Sequence, residues 1–219
     1  MSIHADVFKT ISQELNEKNV TLVAVSKTKP VEDIEALYQL GQRNFGENYV
    51  QELVDKQASL PADIHWHFIG HLQSNKVKYI APFVHLIHGV DSIKLLKEID
   101  KQAAKNHRII DCLLQVHIAS EETKFGMDEQ ELKEAIDQLS NFPNVRVRGL
   151  MGMASFSDDQ GKVRAEFKSL YDIFNTSTIR HLPSAILSMG MSGDYKIAIE
   201  EGSTMVRIGS LLFGARVYS

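Results

Sequence analysis

The chain has 219 residues, of which 43% are hydrophobic and 24% charged, a balance typical of a globular protein with a sizeable core. Its net charge of −4 argues against general nucleic-acid binding, and its one cysteine, Cys112, excludes an internal disulfide or a thiolate metal cluster. No apolar run approaches the roughly 20 residues that span a bilayer, and the N-terminus lacks the pattern of a signal peptide. We therefore expect a cytoplasmic protein.

The chain begins with an amphipathic helix, predicted over residues 2–18, in which Val7, Ile11 and Leu15 recur at i, i+4 and i+8. A short apolar strand follows at 21–27, and the strand-then-helix order continues to the C-terminus. The other strands are predicted at 43–47, 65–69, 84–90, 109–118, 145–154, 185–189 and 204–208. The other helices are predicted at 30–40, 49–58, 74–81, 92–106, 129–140, 161–176, 194–201 and 210–214.

Eight strands that alternate with helices predict a parallel sheet. Eight such units in slightly over 200 residues, with no Pro/Gly/Ser-rich linker between them, match a small (β/α)8 TIM barrel. A doubly wound sheet is the alternative, but it needs fewer strands or a second domain. We therefore predict one α/β domain over residues 1–219, a single (β/α)8 barrel with an extra N-terminal helix.

The first strand ends in a lysine. By alternation Val23, Val25 and Lys27 share one face of the strand, so Lys27 is the charged tip of an apolar row. Such a lysine is either a solvated strand end or a desolvated amine suited to condensing with a carbonyl. The strand alone leaves both interpretations open.

Two glycine-containing turns predict a phosphate site. In a (β/α)8 barrel the functional face lies at the C-terminal ends of the strands, and phosphate is often held after strands 7 and 8. Here strand 7 leads into the turn at 188–194, and strand 8 leads through Gly209 to a helical turn at Ser210. Glycine lets the backbone approach a phosphate closely, and amides at helix N-termini bind phosphate.

Arg207 lies on strand 8 and shares the inward face with Met205 and Gly209. A buried arginine needs a partner, and one interpretation is an ion pair with an inward carboxylate such as Glu47. The other interpretation is a ligand. Because strand 8 pairs with strand 1 in a closed barrel, Lys27, Arg207 and the phosphate turns would meet. A phosphorylated aromatic aldehyde, pyridoxal phosphate (PLP), would match all three.

Six stretches then carry a family resemblance, and together they extend over nearly the whole chain. They are VAVSKTKP, RNFGENYVQE, WHFIGHLQSNK, RGLMGMA, LSMGMS and STMVRIGSLLFGAR. With them the chain resembles the pyridoxal phosphate homeostasis protein family. The members of this family are single-domain barrels similar to the N-terminal domain of alanine racemase.

The resemblance implies roles for individual residues. Lys27 would carry PLP as a Schiff base, and Arg207 would face the pyridine nitrogen. Asn48 would line the cofactor pocket, while Lys29 and Lys124 would be secondary lysines near its mouth, involved in passing PLP on. The phosphate would be held by Gly209 and Ser210 together with Ser192, and Ser188 is a further candidate for this role.

The same resemblance implies a monomer that binds, buffers and delivers PLP to apo-enzymes without turning over a substrate. An always-charged arginine disfavours protonation of the ring nitrogen, which makes the ring a weaker electron sink. Racemases of the related fold take a catalytic tyrosine from a second domain of the partner subunit, and we expect no such domain here. A PLP-dependent amino-acid racemase stays open as the alternative function.

A metal-dependent barrel hydrolase is the second alternative. His65 and His67 share one face of strand 3, as a metal site requires, and His71 lies four residues beyond. However, His65 lies early in the strand, away from the functional face. No HD or HE motif supplies the remaining ligands.

A docking or purely structural role is the third alternative, and it depends on four methionines near strand ends. Methionine side chains fill irregular cores and also form soft partner surfaces, and we expect core filling here. The four residues are Met151, Met153, Met189 and Met191.

Overall fold

Eight parallel strands close into a barrel in chain order, with the last strand paired to the first. The computed structural model describes residues 3–120 and 125–214. The predicted (β/α)8 architecture is confirmed. The strands are β1 (Thr21–Val25), β2 (Asn44–Glu47), β3 (His65–Phe68), β4 (Leu86–Val90), β5 (Ile110–Gln115), β6 (Val145–Met151), β7 (Ile186–Met191) and β8 (Met205–Ile208).

A helical segment follows each strand, and one further helix precedes β1. The helices are α1 (Ala5–Glu17), α2 (Val31–Gln39), α3 (Val50–Ser59), α4 (Val77–Ile80), α5 (Ile93–Lys105), α6 (Glu129–Asp137), α7 (Gln160–Thr176), α8 (Tyr195–Glu200) and α9 (Ser210–Phe213). Short 3-10 helices lie at Ser74–Lys76, Leu139–Asn141 and Thr178–His181. Within the described ranges, no helix combines the length and apolarity needed to cross a bilayer.

The strands separate two apolar cores of very different size. Outward-facing residues such as Leu22 and Ala24 pack against the helices in one large continuous cluster. The cluster inside the barrel is small: its buried members are Val23, Leu86, Leu113, Met151 and Met205. Residues two positions further along three of these strands are polar and buried, namely His88, Gln115 and Arg207. The interior therefore becomes polar towards the C-terminal ends of the strands.

The N-terminal helix packs where the first and last strands meet. α1 contacts β1 and α9, and the His4 amide donates a hydrogen bond to the Leu212 carbonyl at 2.8 Å. Phe8, Ile11 and Leu15 are its buried residues. Phe8 thus takes the inward position predicted for Val7, because the spacing i, i+3, i+7 follows the 3.6-residue helical repeat more closely than i, i+4, i+8.

The first strand ends two residues earlier than the sequence predicts. β1 stops at Val25, because the Ser26 carbonyl accepts a hydrogen bond from the Lys29 amide at 3.0 Å and so closes a turn. Lys27 therefore lies in a turn and not at the tip of a strand row. Its position depends on what holds that turn.

Candidate cofactor-binding site

A cavity of about 470 Å³ opens at the C-terminal ends of the strands, on the face that the sequence predicts. Residues after β1, β2, β7 and β8 supply most of its polar wall. Val25, Ile69 and Met153 supply apolar surface. The predicted site residues that line the cavity are Lys27, Lys29, Asn48, Ser192, Arg207, Gly209 and Ser210.

Lys27 is the second residue of the four-residue turn that follows β1. The next residue, Thr28, has a φ of +61°, a left-handed conformation that residues other than glycine seldom adopt. Lys27 is half-buried and lines the cavity, so it is not a fully solvated strand end.

Lys29 connects this turn to the last helix. Its Nζ donates to the carbonyls of Phe213 at 2.8 Å and Gly214 at 3.3 Å. α9 begins at Ser210, which also lines the cavity. The amine of Lys29 therefore ties the Lys27 turn to the helix beside the predicted phosphate site.

The two predicted phosphate turns are joined directly. The Gly209 amide donates to the Ser192 hydroxyl at 3.2 Å. A Cβ on Gly209 would lie 3.2 Å from both the Cβ and the carbonyl oxygen of Val25, so glycine allows the end of β8 to approach β1 closely. Ser192, Gly209 and Ser210 are thereby held at one edge of the cavity.

Arg207 lies in the barrel interior and is 3% exposed. Its Nη1 donates to the Ser188 hydroxyl at 2.6 Å, and its Nη2 donates to the Gly152 carbonyl at 3.1 Å. Both acceptors are neutral. Burial lowers the pKa of Arg207 from 12.5 to about 10, and the charge of Asp194 opposes that shift. The guanidinium therefore stays charged at neutral pH.

The predicted ion pair between Arg207 and Glu47 is wrong. Glu47 shares the outward face of β2 with Phe45, which packs in the outer core. There its Oε1 accepts from the Nζ of Lys56 at 2.8 Å. The strand wall thus separates this carboxylate from the arginine.

Ser188 does not line the cavity but connects Arg207 to a chain of hydrogen bonds inside the barrel. Its Oγ lies 3.2 Å from the Nδ1 of His88, whose Nε2 lies 2.8 Å from the Nδ1 of His67. The Nε2 of His67 lies 3.1 Å from the Oδ1 of Asn44. Arginine only donates and a carbonyl oxygen only accepts, and a neutral imidazole has one donor and one acceptor nitrogen. Ser188 therefore donates to His88, His88 donates to His67, and His67 donates to Asn44.

Burial keeps both histidines of this chain neutral. It lowers the pKa of His67 and of His88 well below the usual value of 6.5, and the neighbouring His85 adds to both shifts. A neutral imidazole has one donor and one acceptor nitrogen, which is what each position in the chain requires. The chain can therefore hold Ser188 in one orientation beneath the guanidinium.

Asn48 supplies an acceptor without a donor. Its Oδ1 is buried and has no hydrogen-bond partner among the described residues. The backbone there is tightly packed, because a Cβ on Gly70 would lie only 2.4 Å from the Asn48 carbonyl oxygen. An unsatisfied buried acceptor costs about 1–3 kcal/mol, so this position favours a ligand that donates a hydrogen bond.

Comparisons with known proteins agree with this geometry. The family model of the alanine racemase N-terminal domain matches residues 5–217. A relative from Aquifex aeolicus named pyridoxal phosphate homeostasis protein is 44% identical over 206 residues, which are 92% of this chain and 90% of the relative. The chain belongs to the pyridoxal phosphate homeostasis protein family.

Two solved structures of other proteins share the fold of this chain. PipY of Synechococcus elongatus, in a structure with PLP bound, is 36% identical, with a TM-score of 0.87 over 96% of this chain and 99% of PipY. Alanine racemase from Bartonella henselae is 18% identical, with a TM-score of 0.69 over 95% of this chain and 59% of the racemase. The second likeness is one of fold alone.

The sequence predicted most of the polar residues that line the cavity in this family member. Of the two candidate serines, Ser192 lines the cavity and Ser188 lies beneath Arg207. Lys124 lies outside the described residues. Sequence reasoning missed His88, although alternation from Leu86 would have placed it on the inward face of β4.

The sequence offers His65, His67 and His71 as candidate metal ligands. His65 is exposed at the start of the strand, whereas His67 is buried and bonded to His88. His71 lies 3.1 Å from Asp91 and stacks on Phe125. No group of three or more potential metal ligands occurs in the described part of the chain.

The four methionines divide between the core and the site. Met151 and Met189 are buried, as core filling predicts. Met153 and Met191 instead line the cavity, and Met191 is 36% exposed. These two therefore contribute apolar surface to the site.

Proposed function

We propose that this protein, as one domain over residues 1–219, binds PLP as a Schiff base on Lys27 and serves intracellular PLP homeostasis. It would buffer or deliver the cofactor without turning over a substrate. One observation carries the proposal: a lysine in a fixed turn lines the same cavity as a buried arginine whose hydrogen-bond acceptors, among the described residues, are neutral. PLP offers an aldehyde to the first and a ring nitrogen to the second.

The remaining wall matches the other groups of PLP. Ser192, Gly209 and Ser210 would hold the phosphate, and the unpartnered Oδ1 of Asn48 would accept from a hydroxyl of the ligand. Condensation of the Lys27 amine with the aldehyde forms a C=N bond and releases one water. The S. elongatus relative PipY, solved with PLP bound, supports this choice of ligand.

Two features favour a carrier over the alternative, a racemase. A guanidinium that stays charged disfavours a proton on the ring nitrogen, which weakens the ring as an electron sink. Racemisation then needs well-placed acid and base groups. Besides Lys27, the acid–base candidates among the described residues that line the cavity are Lys29 and Asp194, and both are engaged in the fold. Lys29 donates to the carbonyls of Phe213 and Gly214, and Asp194 accepts from the Met191 amide.

The absorption spectrum with added PLP tests the proposal. We expect a yellow band in the wild type that borohydride reduction removes, and no such band in Lys27→Ala. Lys29→Arg is the matched control, because it removes a neighbouring primary amine that also lines the cavity but keeps a cation that can donate to the carbonyls of the last helix. Its band should persist. A band that persists in Lys27→Ala would assign the Schiff base to another lysine, and the absence of a band in the wild type would overturn PLP binding.

We further propose that the protein acts as a cytoplasmic monomer and passes PLP to apo-enzymes, with neither nucleic acid nor membrane as a partner. The net charge of −4 supports the absence of a nucleic-acid partner. Lys29 and Lys124 are the proposed secondary lysines of transfer.

Sedimentation velocity of the holo-protein tests whether it is a monomer. Transfer to an apo-enzyme across a dialysis membrane, compared with transfer in one compartment, tests for direct contact.

A further inference from the structure

The turn that carries Lys27 is held from outside the barrel by a buried lysine of α3. Lys56 is 5% exposed, and its Nζ has three acceptors at hydrogen-bond distance. These are the Ser26 carbonyl at 2.8 Å, the Oε1 of Glu47 at 2.8 Å and the Oε1 of Glu52 at 2.7 Å. An ammonium group has three protons, so its donor capacity is used completely.

Both carboxylates of this network also bind the turn. The Ser26 hydroxyl donates to the Oε1 of Glu47 at 2.7 Å, and the Thr28 amide donates to the Oε1 of Glu52 at 2.6 Å. The residues on either side of Lys27 are thus fixed by the same group of charges. Lys27 is left between two anchored neighbours.

The backbone of the turn needs such anchoring. With a hydrogen bond from Lys29 to Ser26 and a φ of +61° at Thr28, the turn has positive φ at its third residue, where a type II turn usually has glycine. A residue other than glycine stays in this conformation only when its surroundings impose it. The bond from the Thr28 amide to Glu52 acts on that residue directly.

We propose that Glu52 and Lys56 are positioning residues for Schiff-base formation, because they fix the turn so that the Lys27 amine meets the aldehyde of PLP. The proposal rests on the proposed function of Lys27. Neither Glu52 nor Lys56 is among the described residues that line the cavity, so both act through the turn and not on the ligand. Removal of the network should slow the covalent step and leave non-covalent binding intact.

Glu52 is the better residue to change, because its side chain is 22% exposed whereas removal of Lys56 would uncover two carboxylates. Glu52→Leu and Glu52→Ala remove the acceptor, and Glu52→Gln keeps an oxygen that can accept from Thr28. Glu98→Leu on α5 is the matched control. The Glu98 side chain is 25% exposed and also accepts from Gln102 and pairs with Lys101, away from the turn.

Two measurements separate positioning from general damage. The first is the rate at which the Schiff-base band appears after PLP is mixed with the protein. The second is the affinity for pyridoxine 5'-phosphate, which has an alcohol in place of the aldehyde and cannot form the C=N bond. Circular dichroism and the melting temperature verify that each variant is folded.

We expect the covalent rate to fall about tenfold in Glu52→Leu and Glu52→Ala, while the affinity for pyridoxine 5'-phosphate changes less than twofold. Glu52→Gln should recover most of the rate, and Glu98→Leu should match the wild type. An unchanged rate in the folded variants, or equal losses of rate and affinity, would overturn the positioning role. Absence of a borohydride-reducible adduct in the wild type would instead overturn the proposed function.

Discussion

Two regions of the molecule bury a cation, and they treat it in opposite ways. In the layer between β2 and α3, Lys56 donates to two carboxylates, Glu47 and Glu52. In the barrel interior, Arg207 donates to a hydroxyl and a carbonyl, and within the described residues it forms no ion pair. Burial of a charge is costly unless an opposite charge compensates it. The fold thus neutralises Lys56 itself and leaves the charge of Arg207 available to a ligand.

The largest effect should follow removal of the compensated cation. Lys56→Met leaves the fully buried Glu47 without its partner, and loss of one member of a buried ion pair typically costs about 3–5 kcal/mol of unfolding free energy. Urea denaturation at pH 8, above the raised pKa of Glu47, measures this loss. Lys18→Met is the control, because Lys18 is half exposed and lies 3.5 Å from Glu14, and we expect less than about 0.5 kcal/mol there. A loss in Lys56→Met as small as in the control would mean that the network is not stabilising.

The pH dependence of stability should identify the carboxylate of the pair. Burial raises the pKa of Glu47 from 4.5 to about 7, although Lys56 opposes the shift. Between these values the folded protein holds a proton that the unfolded chain has lost, so stability must fall as the pH rises through this range. This contribution to stability is fully present below pH 4.5 and is lost as the pH rises through about 7.

Glu47→Gln should remove this slope, because glutamine does not titrate. Denaturation of both proteins at several pH values between 4.5 and 8 provides the measurement. The wild type should lose stability relative to the variant as the pH rises. Parallel curves would show that Glu47 titrates at its usual value, and the raised pKa would be wrong.

The uncompensated cation should affect binding more than stability. Arg207→Met removes a buried charge together with two hydrogen bonds, and these contributions largely offset each other, so we expect about 1 kcal/mol or less in unfolding free energy. The affinity for PLP should fall roughly 10–100-fold, the range for loss of a charged hydrogen bond. Fluorescence titration with PLP measures the affinity. A large loss of stability with unchanged affinity would reverse the contrast between the two regions.

The smallest effect should come from the residue that orients Arg207. Ser188→Ala removes the 2.6 Å acceptor but keeps the charge, so we expect about a fivefold loss of affinity for PLP, less than the full value of a hydrogen bond to a charged group. Ser203→Ala is the control, since Ser203 is equally buried and donates to the Met189 carbonyl at 2.7 Å without contacting Arg207. Equal losses in both variants would mean that Ser188 contributes only to packing.

The elements of the fold could be predicted because their signals are local. Apolar runs and helical periodicity placed every strand within a few residues, and the motifs at 188–194 and around Ser210 placed the two turns that border the cavity. The Lys27 turn could not be predicted, since it depends on contacts from α3, 24 or more positions away in sequence. The Glu47 pairing was wrong for a different reason: alternation from Phe45 places Glu47 outside the barrel.

The last helix, α9, has only four residues, and α1 packs beside it from the opposite end of the chain. His4 reaches Leu211 across a separation of 207 residues. Contacts of such long range repay their loop-closure entropy only when the rest of the barrel is in place, so we expect this junction to form late in folding. A ligand held between the ends of β1 and β8 would then bind the part of the barrel that closes last. The bound ligand should therefore slow unfolding of the protein and leave its folding rate nearly unchanged.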